Sequence, residues 1–146
     1  MQLITQPDEG VAPLIRAIAR AKKSADIVIF RFDIKEIEEA LTAAVKRGVV
    51  VRALIAHTKR GGESKLRKLE SRLLEAGATQ SRTADDMVRY HGKLLVIDRK
   101  KAYVLGFNYT RQDIEKSRSL GLVTRNPNIV RDILNVIEAD HNRVDP

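Results

Sequence analysis

Short apolar runs rich in Val and Ile alternate with amphipathic segments along this chain, and that alternation constrains the fold more than any other feature. Leu3-Ile4 predicts a short first strand, and Asp26 to Phe32 a buried one. Between them a helix is predicted from about Gly10 to Lys23, with Asp8 or a near neighbour as its cap and Leu14, Ile15 and Ile18 facing inward. From Ile34 to Arg47 the residues Ile37, Ala40, Leu41 and Ala44 repeat at i, i+3, i+4 and i+7, and Gly48 ends that helix. Val49 to Ala56 reads as a long strand. Glu63 to Ala76 reads as a helix with Leu66, Leu69 and Leu73 inside and Gly77 as its stop, and Ala78 to Arg82 as a short strand. Leu94 to Ile97 and Ala102 to Leu105 flank Asp98-Arg99-Lys100-Lys101 as a hairpin. A short helix after Thr110, a strand from Leu120 to Thr124 and a helix from about Asn128 to Asp140 complete the order. Strands alternating with helices, followed by a hairpin, predict an α/β domain with a mixed β-sheet flanked by helices on both faces. The 146 residues suit a single domain, without a linker, low-complexity tract or internal repeat.

Within this pattern, Tyr90 to Asp98 is an apolar, strand-like run that carries an imidazole and an ammonium two residues apart, so alternation puts His91 and Lys93 on one face. Asp98 follows after four residues, and Leu105-Gly106-Phe107-Asn108 after six more. The whole, His-x-Lys-x4-Asp-x6-Leu-Gly-x-Asn, resembles the signature of the phospholipase D superfamily, in which the last part is Gly-Ser/Gly-x-Asn. Spacing matches at His91, Lys93, Asp98 and Asn108, with Gly106 at the Ser or Gly position. Leu105 replaces the usual first glycine. Family members commonly carry a Glu about ten residues after the Asn to orient the imidazole. Here Ser117-Arg118-Ser119 stands near that point, and Glu115 is the nearest carboxylate. The resemblance covers nearly the whole chain and implies the phospholipase D/nuclease-like fold.

The chemistry asks for these residue types. Cleaving a phosphodiester without a metal needs a nucleophile that is also a competent leaving group, and a neutral imidazole is both near pH 7. An ammonium and an amide NH2 can neutralise and orient the non-bridging oxygens. The resemblance implies a phosphohistidine intermediate on His91 and a second histidine, from a second copy of the motif, as general acid and then base. It also implies phosphate binding by Lys93 and Asn108 and a supporting role for Asp98 behind them. At Gly106, where a Ser would add a hydroxyl, only backbone is left to contact phosphate. No cofactor is expected. No metal is expected either, because the motif brings no set of carboxylates, thiols or imidazoles at ligand spacing.

A formal net charge of +8, from 27 Lys and Arg against 19 acids, favours polyanionic partners such as nucleic acid or anionic phospholipid headgroups without choosing between them. From Lys59 to Arg72, Lys59, Arg60, Lys65, Arg67, Lys68 and Arg72 face only Glu63 and Glu70, as a solvated helix face or a binding surface; Lys59 and Arg60 are its candidate substrate contacts. Arg99-Lys100-Lys101 forms a second cluster. Three Phe, three Tyr and no Trp leave little for base stacking or for an acyl-chain rim, so recognition of nucleic acid should be directed at the backbone. Cysteine is absent, which excludes a disulfide framework. The start Met1 to Gln6 has no basic and apolar leader pattern, and no apolar run is long enough to span a membrane, so a cytoplasmic protein without a transmembrane segment is expected.

One motif leaves a two-histidine mechanism short of an imidazole. His57-Thr58-Lys59 also spells His-x-Lys, but Ser64 stands where an Asp is needed and no Gly-x-Asn follows, so it is not a second motif. His141 is expected at an exposed helix end. The expectation is therefore a homodimer that sets two His91 sites face to face across a twofold axis, or else one half of a longer two-motif enzyme. Three functions stay open: a metal-independent nuclease, a phospholipase D or phosphatidyltransferase, and a non-catalytic nucleic-acid-binding module with a degenerate site.

Overall fold

The computed structural model of the chain describes residues 1–56, 64–83 and 91–142. In chain order the elements are β1 (Gln2–Gln6), α1 (Ala12–Ala19), β2 (Ser24–Ile29), α2 (Lys35–Lys46), β3 (Val50–Ile55), α3 (Ser64–Ala76), β4 (Thr79–Arg82), β5 (Leu94–Ile97), β6 (Lys101–Leu105), α4 (Arg111–Glu115), β7 (Ser119–Thr124) and α5 (Pro127–Asn142). One seven-stranded sheet holds the strands in the order β1-β7-β6-β5-β2-β3-β4. β2, β3 and β4 run parallel, as strands joined by helical crossovers must, whereas β5, β6, β7 and β1 pair antiparallel. The mixed α/β sheet predicted from the alternation is the one observed.

Alternation along each strand separates two apolar layers. Ala25, Ile27 and Ile29 of β2 face the larger core, which α1, α2 and α3 cover with Leu14, Ile18, Ile37, Leu41, Leu66 and Leu69. Val28 faces the other way, onto a smaller core where Leu54, Val96 and Ala102 meet Val130, Leu134 and Ile137 of α5. Helix α5 is started by Asn126, whose Oδ1 accepts the N–H groups of Asn128 (3.0 Å) and Ile129 (3.3 Å), with Pro127 as the first helical residue. It covers only the middle of its face. On the neighbouring strands Leu3, Leu122 and Val104 form one cross-strand row, and they and Leu120 are 40–54% exposed.

Two local expectations are corrected. Helix α1 is shorter than Gly10 to Lys23 and has no side-chain cap; Val11 precedes it, and Asp8 instead pairs with Arg118 at 3.2 Å. It stops early because the N–H groups of Lys22, Lys23 and Ser24 all turn onto the Asp98 carboxylate. His141 is not at an exposed end. It is partly buried on α5, near Arg52 and Asp26; burial, reinforced by the Arg52 charge, pushes its imidazole below the usual value. Among the described residues, no helix is long and apolar enough to cross a membrane.

Candidate active site

Three stretches of chain meet at one end of the sheet: residues 30–33 beyond β2, 91–93 ahead of β5, and 106–109 beyond β6. The Leu105 N–H donates to the Lys93 carbonyl at 3.0 Å, and the Tyr109 hydroxyl donates to the Leu94 carbonyl at 2.8 Å. Burial pushes the Tyr109 phenol well above its ordinary pKa, so it stays a proton donor in that bond. The same residue ties the third stretch down: its N–H donates to the Arg31 carbonyl at 3.2 Å, and its carbonyl accepts the Asp33 N–H at 2.9 Å.

On this backbone the side chains converge on Phe30. The exposed His91 imidazole packs on the Phe30 ring with centroids 5.0 Å apart and planes tilted by 55°. Lys93 Nζ lies 5.9 Å from the same ring centre, within reach of its negative π face. The strand-like reading of this segment needs correction, since β5 begins only at Leu94 and His91-Gly92-Lys93 precede it, although the Lys93 carbonyl still accepts the Leu105 N–H of β6. Both side chains nonetheless meet one aromatic ring. Asn108 is fixed through its backbone, whose N–H donates to Asp113 Oδ2 at 2.7 Å, and Asp113 is itself held where its N–H donates to the capping Thr110 hydroxyl at 3.3 Å. The Asn108 Oδ1 atom is buried without a hydrogen-bond partner among the described residues.

The remaining candidates fall elsewhere. Asp98 lies at the opposite end of β5 from His91, in a turn with φ +55°, and its Oδ1 accepts the N–H groups of Lys23 (2.7 Å), Lys22 (3.0 Å) and Ser24 (3.0 Å). Partial burial pushes its pKa up, but those three donors outweigh it and hold the carboxyl below the ordinary value. It fastens the β5–β6 turn to the loop between α1 and β2 and does not join the cluster around Phe30. Gly106 gives its N–H to the Leu120 carbonyl at 2.8 Å, so that donor is spent within the sheet. A Cβ there would stand 2.6 Å from the Leu120 oxygen, which explains glycine rather than serine in this chain. Leu105 is buried in the larger core opposite Gly121, where a Cβ would come within 3.1 Å of Leu105 Cδ2. Glycine on β7 therefore makes room for leucine on β6. Glu115 pairs with Arg111 at 2.9 Å, and Arg111 also holds Glu36. Lys59, Arg60 and His57 lie outside the described residues.

Phe30, Tyr109 and Asp113 were missed by sequence reasoning. A signal existed for the first, because Phe30-Arg31-Phe32-Asp33 leaves a buried strand at its carboxyl end, where α/β sheets commonly build their sites. For Asp113 there was none, since a carboxylate five residues beyond Asn108 has no fixed partner in an unknown loop. Among the described residues, no three His, Cys, Asp or Glu side chains gather as a metal-holding group.

Residues 14–141 match the family described as "Cardiolipin synthase, PLD-like domain". The mouse mitochondrial cardiolipin hydrolase is 25% identical over 139 residues, which are 95% of this chain and 61% of that protein. The human protein of the same name is also 25% identical over 139 residues, 54% of its length. The chain thus spans little more than half the length of these curated relatives. Among solved structures, Nuc from Salmonella typhimurium, a phospholipase D family member, superposes with a TM-score of 0.86 at 24% identity, covering 99% of this chain and 95% of that one. NucT from Helicobacter pylori gives 0.83 at 16% identity, covering 98% and 96%. At these identities the two structures establish a common fold.

Proposed function

Since the chain belongs to the phospholipase D-like family, whose members are phosphodiesterases, we propose that it is a metal-independent phosphodiesterase that acts on nucleic acid as a homodimer. The observation that carries this reading is the shared Phe30 ring, which both the His91 imidazole and the Lys93 ammonium contact, at the end of the sheet where Asn108 follows β6. In the first step a His91 ring nitrogen attacks phosphorus, the bond from phosphorus to the leaving oxygen breaks, and His91 of a second copy protonates that oxygen. In the second step the same imidazole takes a proton from water, the water oxygen bonds to phosphorus, and the phosphorus–nitrogen bond breaks. Lys93 and Asn108 hold the non-bridging oxygens and oppose the charge that grows on them.

Support for nucleic acid comes from the net charge of +8, from the fold shared with Nuc and NucT, and from the scarcity of aromatic residues, which suits contacts to the backbone. The exposed row Leu3, Leu122 and Val104, with Leu120 beside it, supports the dimer. It begins on β6 two residues before Gly106, next to the site, and a site with one motif histidine needs a second copy to be complete. The same row favours a second reading, hydrolysis of phospholipid with acyl chains laid on that face, as the names of the relatives suggest.

Plasmid DNA, RNA, a chromogenic phosphodiester and phosphatidyl lipid vesicles, offered side by side in EDTA, separate these readings. We expect cleavage of nucleic acid and of the chromogenic ester with chelator present. Turnover of the lipid alone would replace the nuclease reading with the second one. Activity lost in EDTA and restored by one particular divalent ion would overturn metal independence.

A further inference from the structure

At the end of the sheet away from His91, two cavities meet. The first, about 270 Å³, lies between α1, β1 and the β5–β6 turn and is lined by Arg16, Arg20, Lys100, Lys101 and Arg125, against the carboxylates of Glu9 and Asp98. Both carboxylates are already engaged, Glu9 by the Thr5 N–H at 2.6 Å and Asp98 by three backbone donors. The second, about 510 Å³, lies on the other side of the sheet end, under the start of α5, and is lined by Arg99, Lys100, Arg125 and Arg131 with no acidic residue. Lys100 and Arg125 belong to both, so the two form one basic track around the sheet end.

Arg16, Arg20, Arg125 and Arg131 are exposed and make no ion pair among the described residues, whereas Arg52, Arg72, Arg82, Arg99, Arg111 and Arg118 each have an acidic partner. Unpaired like charges brought together repel one another, and a polyanion relieves that repulsion while releasing its own counterions. The β5–β6 turn that presents Lys100 is rigidly anchored, with Asp98 and Arg99 both at positive φ and Asp98 bonded across to the loop between α1 and β2.

We propose that this track is a second nucleic-acid-binding site, which takes the sugar-phosphate backbone of a single strand and holds a long substrate while a distant part of it reaches His91. Shape decides between nucleic acid and an anionic membrane: a strand can follow two joined concavities around a corner, and a lipid surface cannot enter them. Binding here would be insensitive to sequence, since the lining offers charge and no exposed aromatic ring. Binding of a strand in the track holds whether or not the His91 site cuts nucleic acid, whereas presentation of a long substrate to His91 rests on the catalytic reading proposed above.

The test uses the full chain carrying His91→Asn, so that turnover does not intrude, and a fluorescein-labelled single-stranded oligonucleotide of mixed sequence read by anisotropy at several salt concentrations. Two pairs of neutral substitutions, Arg16→Gln with Arg20→Gln and Lys100→Gln with Arg125→Gln, remove exposed charges from opposite walls, and melting curves verify each fold. Each pair should weaken binding about tenfold or more near 0.1 M salt and flatten the slope of log K against log salt by roughly 1 to 1.4, the value for two lost phosphate contacts on a single strand. With His91 restored, the same pairs should leave turnover of a small chromogenic phosphodiester at the parent rate, while cleavage of a long strand slows. Unchanged affinity and slope in both pairs would overturn the proposal. Loss of binding to phosphatidylglycerol vesicles with oligonucleotide binding intact would overturn it in favour of a membrane. A parent that binds but does not cleave the strand would count against the nuclease reading alone.

Discussion

The imidazole of His91 rests against the ring of Phe30, with centroids 5.0 Å apart, and the Lys93 ammonium approaches the same ring to 5.9 Å. One aromatic side chain thus contacts both the proposed nucleophile and the proposed phosphate-binding cation, which come from the segment just ahead of β5. Phe30→Ala should lower turnover of a chromogenic phosphodiester by about ten- to a hundredfold, because small misplacements of reacting groups cost that much, while the protein stays folded. Phe30→Tyr should keep most of the rate. Equal loss in both variants, or none in Phe30→Ala, would show that the ring does not position the site.

Gly106 and Leu105, the two positions around which the motif varies, should respond as packing residues. Gly106→Ser would force a Cβ toward the Leu120 oxygen, now 2.6 Å from where it would stand, and should cost about 1–3 kcal/mol without any gain in turnover. Leu105→Gly removes a buried side chain and should cost about 3–5 kcal/mol. Chemical denaturation reads both. A more active Gly106→Ser protein would mean that position 106 does contact phosphate.

Asp98 supplies the pH dependence. Its carboxyl sits below the ordinary value of 3.8 in the folded state, so the stabilisation is fully present above that value and is lost as pH falls through the folded pKa. Melting temperature should therefore fall as the solution is acidified below about pH 4, and Asp98→Asn should lack that component of the fall. At neutral pH Asp98→Ala should cost about 2 kcal/mol, as expected for loss of hydrogen bonds to a charged acceptor. An acid limb identical in wild type and Asp98→Asn would remove the staple from the account.

Subunit mixing tests the dimer. If His91 of both copies is needed, an equal mixture of wild type and His91→Ala after complete exchange should retain about a quarter of the activity of the same total amount of wild type, as random pairing requires. Retention of one half, or an active monomer in sedimentation, would mean that each chain carries its own general acid, and His57 would be the next residue to substitute.

The element order and the sheet type were legible because they depend on local periodicity: Ile37, Leu41 and Ala44 of α2 and Val51, Ala53 and Ile55 of β3 are buried as their spacing requires. What was illegible depends on partners far away in sequence. Asp98 meets backbone donors 74 to 76 residues earlier, so nothing near it announces a staple or the early end of α1. Phe30 touches His91 only because β2 and β5 are neighbours in the sheet, which alternation alone does not say. The strand-like look of Tyr90 to Asp98 misled for a related reason: pairing with β2 stops at Val28, opposite Leu94, so the apolar pattern extends beyond the ladder.

The most direct measurement is the turnover of His91→Asn, with melting and oligonucleotide binding measured on the same preparation. A nucleophile acts on the transition state rather than on uniform binding, so the account predicts less than about one percent of wild-type turnover with the melting temperature and the affinity unchanged. Turnover above a few percent of wild type, in a chain that folds and binds normally, would contradict it.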